Sequence, residues 1–331
     1  MSHTLNVFTR GSELATTQTA TAVAKLQSAI DQIDKNRYEL KTNIVRSIGD
    51  RFRNNWLEKI SSLSLDERSR KWTLELEQEA QKSKFNIAIH SGKDLPFVIY
   101  DDTEYLPILG REDARDIFIP RETRDCDITQ LAGGATIGTS SNRRIANLRA
   151  LRPDLNFKNY VGNVTTRLDP DNMKKHGVDG VILAAAGLKR LGLFEADRMY
   201  PLPVEQCLPC GNQGILAMQI NKDAPEALRE AIQQIQHSDT VLAWHAERSF
   251  LEAFMAGCDT AISVYAQPLE NGIKLSANVP SLDGSIALRL NGFARCETND
   301  KSSVQIAREL GANLAEEAKS YGAAKISDHQ S

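Results

Sequence analysis

The stretch Phe85 to Pro96, FNIAIHSGKDLP, constrains the fold more than any other part of this chain. Phe85, Ile87, Ala88 and Ile89 make the short apolar run of a strand buried in a parallel sheet. His90-Ser91-Gly92 ends the run, and Pro96 prevents a central strand from continuing, because proline has no N–H to give the ladder. Lys93 and Asp94 therefore stand at the carboxyl end of a strand, where open α/β sheets place their ligand chemistry. An ammonium beside a carboxylate there can hold an anionic substrate while stabilising a cation. Taken alone, the same pair reads as a solvated ion pair in a turn.

The rest of the chain repeats the strand–turn–helix pattern. Leu5 to Phe8 reads as a strand, Thr9-Arg10-Gly11-Ser12 as a tight turn, and the Ala/Thr-rich run to Ile30 as a helix. Such a turn points free backbone N–H groups and the helix dipole at an anion, with Arg10 at the mouth. Ser12 can equally be an ordinary N-cap. Tyr38 to Val45 reads as a second strand, 51–71 as a polar loop or lid, and Trp72 to Gln81 as a helix leading into the Phe85 strand. Alternation of this kind predicts βαβ units and a mainly parallel sheet.

Arg111 to Asp116 is a charged crossing into a second unit. There Thr136 to Gly138 reads as a strand, and Ser140 or Ser141 caps a helix that stops before Pro153. Arg143 and Arg144 fall in its first turn, where positive charge opposes the dipole, so the pair points to anion recognition. Asn163 to Arg167 begins another crossover, and Val178 to Leu193 is a strand, a small-residue turn and a helix bearing Lys189 and Arg190. Arginines delivered by successive turns suit carboxylates, which the planar guanidinium takes in a bidentate manner.

Pro209 onward gives a Gly-rich turn and an apolar strand. A helix begins at Pro225 with Asp223 as its expected cap, and another runs from about Thr240 to Ala256, stopping at Gly257. Cys258 follows on a loop; by itself it is as readily a small buried hydrophobe as a reactive thiol. Residues 262–295 alternate as an antiparallel meander, and a helix from Val304 to Tyr321 precedes a polar tail. Cys207 and Cys210 form a C-x-x-C pair with no second pair or nearby histidines, which does not read as a metal or redox site.

Composition narrows the function. Forty Lys and Arg against 43 Asp and Glu, a net charge of −3 over 331 residues, argue against a general nucleic-acid binder and make any cationic site local. No apolar run approaches the roughly 18 residues of a membrane span. The start lacks signal-peptide character and five cysteines form no disulfide framework, so a reducing, cytoplasmic setting is expected.

Taken in order, RGSELA, IAIHSGKDLP, GREDARD, GTSSNRR, LRPDL, GNVTTRL, ILAAAGLKRLGL, NQGILA and AERSFL…AGC resemble the hydroxymethylbilane synthases, also called porphobilinogen deaminases, along nearly the whole chain. The resemblance implies two periplasmic-binding-protein-like α/β domains with a cleft between them, plus a C-terminal α+β domain with a small antiparallel sheet. The implied boundaries are 1–111 with 213–237, then 112–212, then 238–331. It implies a transferase that condenses four porphobilinogens, with loss of ammonia, onto a dipyrromethane attached to Cys258, then releases linear hydroxymethylbilane. Asp94 is the implied catalytic residue with Lys93 beside it. Arg10, Ser12, Lys93, Ser140, Ser141, Arg143, Arg144, Asn163, Arg167 and Gln213 would contact the cofactor, and Arg10, Arg167 and Arg190 the substrate. A monomer without metal, nucleic acid or membrane partner is implied.

The sequence departs from that family at Val161, where an arginine usually precedes Gly-Asn-Val, at Gly92, which replaces a usual methionine, and in the 51–71 segment, which lacks the expected Gly- and Lys-rich pattern. The alternative reading is therefore a non-catalytic or altered-product relative that binds a pyrrole polycarboxylate on the same scaffold.

Overall fold

A computed structural model of the chain describes residues 3–34, 37–51, 64, 67–68, 70–96, 100–122, 127–254, 261–297 and 302–328. The chain divides into two compact units, 1–111 with 215–244 and 112–214 with 245–331.

The first unit runs β1 (His3–Arg10), α1 (Glu13–Ile33), β2 (Tyr38–Val45), α2 (Ile48–Arg51), α3 (Leu74–Gln81), β3 (Asn86–Ser91), a 3-10 turn (Gly92–Asp94) and β4 (Thr103–Ile108). On the second unit come β5 (Asp116–Pro120), β6 (Thr136–Gly138), α4 (Asn142–Leu151), β7 (Asn156–Lys158), α5 (Val164–Leu168), α6 (Pro170–Lys175), β8 (Gly180–Ala184), α7 (Ala185–Arg190) and β9 (Tyr200–Pro201). The chain then supplies β10 (Leu216–Asn221) and α8 (Glu226–Gln234) to the first unit, followed by α9 (Ser238–Phe254). A three-stranded antiparallel sheet, β11 (Ser263–Leu269), β12 (Gly272–Pro280) and β13 (Ala287–Ala294), precedes α10 (Ser302–Ser320) and α11 (Ala323–Asp328).

Among the described residues the first unit carries a sheet of order β2-β1-β3-β10-β4, and the second a sheet of order β7-β6-β8-β5-β9. The two orders are one topology: three parallel strands, then a strand antiparallel to both of its neighbours, then a final edge strand. The mainly parallel sheet expected from the sequence is thus mixed. β10 and β5 are not reached by a βαβ crossover within their own sheet, so the rule that makes such connections parallel does not act on them.

Burial explains the strands. Leu5, Val7, Ile87, Ile89, Met218 and Ile220 share a core with Ala22, Leu26 and Ile30 of α1 and Leu228 and Ile232 of α8. Ala88 faces the other way, against Leu76 and Ala80 of α3. β5 is buried at all of its residues: Ile117 and Ile119 enter one core, Phe118 another. Burial on both faces is what removes the alternation by which a strand announces itself in sequence. β4 contains Pro107, tolerated because β4 is the edge strand.

Two boundaries differ from expectation. Pro225, not Asp223, is the N-cap of α8 and makes no side-chain cap bond, its fixed φ of −55° already suiting entry to a helix. The polar tail after Tyr321 is partly helical, forming α11.

Candidate functional site

In the first unit, β1 delivers Arg10 and the following turn delivers Ser12. The Ser12 hydroxyl accepts the Ala15 N–H at 3.3 Å, so this serine is the N-cap of α1. Arg10 is held on two sides: Nε and Nη2 donate to Asp50 at 3.1 and 2.7 Å, and its guanidinium lies 4.3 Å over the Trp72 ring. Asp50 in turn accepts from the Ser47 hydroxyl at 2.7 Å.

Asp94 ends the 3-10 turn after β3 and is half-buried. That turn is anchored by the Gly92 N–H, which donates to the Ile215 carbonyl at 2.8 Å. Arg10 and Asp94 line one small pocket with Gln18, Trp72, His90 and Ser91 among its other walls. Ser91 donates to Gln18 at 3.2 Å, fixing the α1 side of this wall. The pocket therefore offers a cation, a carboxylate and an aromatic face.

His90 is buried, and its Nε2 lies 3.1 Å from Gln219 Oε1, whose amide nitrogen donates to Thr103. That arrangement assigns the proton to Nε2. Burial pushes the imidazole down to about 4, Gln219 opposes the shift and the charge of Arg10 adds to it, so His90 is neutral at pH 7.

The second unit gathers Arg143, Arg144 and Gln213 around a residue the sequence reading passed over, Asp116. Arg143 Nη2 donates to Oδ2 at 2.6 Å, and Arg144 donates through Nε and Nη2 to Oδ1 at 3.1 and 2.8 Å. Gln213 Nε2 donates to the same Oδ1 at 3.0 Å. Burial opposes ionisation of Asp116, but the two arginines outweigh it and hold the carboxyl well below the usual range. The neighbouring Cys207 thiol is pushed up to about 12, by burial first and then by Asp116, and stays neutral. Ser141, not Ser140, caps α4, accepting the Arg144 N–H at 3.4 Å. Asn147 ties α4 to the antiparallel sheet through Ser263 and Asn278, at 3.3 and 3.1 Å.

Other residues named from sequence lie elsewhere in the two units. Arg190 donates to the Gly214 carbonyl at 2.6 Å, and burial lowers its pKa to about 10 against the opposing charge of Glu112. Asn163 is the N-cap residue of α5, Arg167 sits in that helix's last turn, and Val161 is 45% exposed. Lys93 is half-buried in the 3-10 turn beside Asp94. Cys258 and most of the 51–71 segment lie outside the described residues.

Asp50, Trp72, His90 and Asp116 were not anticipated. The signal for Asp116 was a charge standing directly before the all-apolar run IFI, where only a paired carboxylate can be buried.

Comparison with known proteins agrees along the chain. Residues 5–229 match the family described as "Porphobilinogen deaminase, dipyromethane cofactor binding domain", and residues 241–320 match "Porphobilinogen deaminase, C-terminal domain". The chain is 35% identical over 322 residues to the porphobilinogen deaminase of Syntrophomonas wolfei, covering 97% of each chain. It is 33% identical to that of Rickettsia bellii, covering 95% of this chain and 100% of the relative. Among solved structures it is similar to the BvgS periplasmic VFT2 domain of Bordetella pertussis, at 13% identity and a TM-score of 0.38, covering 73% of this chain and 91% of that one.

Proposed function

The chain belongs to the porphobilinogen deaminase family, and from that premise we propose that it acts as a hydroxymethylbilane synthase. This transferase joins four porphobilinogen molecules head to tail with loss of ammonia, then releases the linear product with water. The observation that carries the reading is the pocket that brings Arg10 and Asp94 together in the first unit. Family membership along the whole chain does not favour the non-catalytic alternative.

The donor set suits a pyrrole polycarboxylate. Two guanidiniums, Arg143 and Arg144, share one carboxylate, so their cluster has one positive charge in excess. When bound, dipyrromethane supplies the nucleophilic pyrrole end to which substrate is joined. In this reading Cys258 anchors it within residues 238–331, with Arg143, Arg144, Gln213, Ser140, Ser141, Asn163, Arg167, Ser12 and Lys93 as contacts, and Arg167 and Arg190 receive substrate carboxylates.

Loss of ammonia from the substrate leaves a positively charged carbon framework. Asp94, fixed after β3, stabilises that charge and exchanges a proton with the pyrrole nitrogen. Arg10, lining the same pocket, meets a substrate carboxylate; its Asp50 and Trp72 contacts hold the fork in place beforehand, so little order is lost on binding. His90 presents an uncharged imidazole and adds no competing cation beside the developing one. No described helix is long and apolar enough to cross a membrane, and in this reading the protein works as a cytoplasmic monomer on a small molecule.

The test is intact mass with Ehrlich's reagent. Purified protein should carry the mass of two porphobilinogens less two ammonias and give the colour reaction, both lost in Cys258→Ala. A loaded alanine variant moves the attachment site. A wild-type chain that stays unmodified after incubation with porphobilinogen or preformed hydroxymethylbilane ends the enzyme reading.

A further inference from the structure

Asp116 has no counterpart among the residues named above, yet it organises three of them. It is 0% exposed on the side chain, while Arg143 and Arg144 keep 6% and 9%. The anion is sealed while the two arginine side chains keep a small exposed edge, so an incoming carboxylate would approach the arginines and not Asp116. Every group is fixed from a different element: Arg143 Nη1 donates to the Leu208 carbonyl at 2.7 Å, Arg144 Nη1 to the Ile182 carbonyl at 2.9 Å, and Gln213 Nε2 to the Ala114 carbonyl at 2.7 Å. Both arginines occupy the first turn of α4, where the dipole disfavours them, and both are buried, which costs further. Two guanidiniums around one buried carboxylate leave a surplus positive charge that a carboxylate ligand can balance.

We propose that Asp116 is a positioning residue for the cofactor: it orients Arg143 and Arg144 before the cofactor arrives and leaves their cluster with one positive charge in excess, to be balanced by a cofactor carboxylate. This rests on the reading that the two arginines contact dipyrromethane. Its consequence is a linkage: removing the Asp116 charge leaves two buried guanidiniums without their carboxylate, a loss that a bound carboxylate partly makes good.

The experiment compares urea unfolding midpoints of unloaded and cofactor-loaded protein for wild type, Asp116→Asn, Arg143→Gln and Arg144→Gln, together with the rate of loading from preformed hydroxymethylbilane, read by intact mass. Asp116→Asn should lower both midpoints and widen the gap between loaded and unloaded forms. Asp116→Glu, which keeps the charge but displaces it, should fold and load severalfold more slowly. Equal lowering of both forms by Asp116→Asn, with wild-type loading by Asp116→Glu, would reduce Asp116 to a structural counter-ion and overturn the proposal. If Arg143→Gln and Arg144→Gln also shift both forms equally, the arginines do not meet the cofactor and the underlying reading falls with it. If instead the arginine variants narrow the gap while Asp116→Asn leaves it unchanged, only the proposal about Asp116 is overturned. Should Asp116→Asn fail to fold, the loading rate of Asp116→Glu decides.

Discussion

The two mixed sheets share a strand order but carry opposite chemistry at matching places. After β1 and β6, which hold the same second position in the two strand orders, comes a helix capped by a serine, Ser12 on α1 and Ser141 on α4. In the first unit the arginine precedes its cap and pairs with Asp50 at the wall of a pocket. In the second, two arginines follow the cap and share the sealed Asp116. The third strand of the first sheet leads to Asp94, whereas that of the second leads to Lys189 and Arg190. One topology thus offers a half-open acid beside a matched ion pair, and a closed cluster with surplus positive charge. Under the proposed function, the difference fits a division of labour in which the first unit handles the reacting cation and the second the accumulating carboxylates.

That contrast can be broken by experiment. The largest effect is expected at Asp94: Asp94→Asn should keep the fold and cut turnover of the loaded enzyme by at least about a hundredfold. A wild-type rate would remove the acid from the first unit's chemistry. Next comes stability. Arg143→Met strips one cation from a fully buried anion and should cost about 3–5 kcal/mol in urea unfolding. Arg10→Met, whose ion pair is 20% and 14% exposed, should cost about 1 kcal/mol. Equal losses would mean that the sealed and open pairs are not energetically distinct.

Acid should reach buried histidines of both units before it reaches Asp116, because burial pushes His90 of the first unit and His245 of the second down to about 4. His90 titrates near 4 in the folded chain, and an unfolded histidine near 6.5, so below 6.5 the unfolded state takes up protons that the native state does not. Stability therefore falls as pH drops from about 6.5 towards 4, by roughly 2–3 kcal/mol for this group. Asp116, held well below the usual carboxylate range, keeps its contribution until more acid conditions. Denaturation curves of wild type and His90→Gln across this window should show the slope shrink in the variant; an unchanged slope assigns it elsewhere. The smallest effect is expected at Val161, which is 45% exposed: Val161→Arg should alter stability by no more than about 0.5 kcal/mol and leave activity unchanged or raised. A large loss of activity would show that Val161 suits a different ligand.

Much of this was legible in the sequence because the signals were local. A short apolar run ending at Ser-Gly-Lys-Asp, a turn before a capping serine and a helix stopping at proline each follow from neighbouring residues, and β3, α1 and α4 formed where those signals lay. β5 and β4 went unread for the complementary reason: the first is buried on both faces and begins with a charge, the second carries a proline that only an edge position excuses.

By itself, then, the sequence determined the alternation of strands and helices, the turns that present Arg10, Asp94, Arg143 and Arg144, and the family to which their order belongs. Only the tertiary structure decided which charges would meet. Asp50 lies 40 residues from Arg10, and Asp116 lies 27 and 28 residues from Arg143 and Arg144. Gln213 reaches the same carboxylate across 97 residues. Backbone propensity acts over a few residues and is written in the local sequence. Pairing of buried charges is settled by which strands lie side by side, because a charge removed from water must take its partner from whatever the fold places within reach.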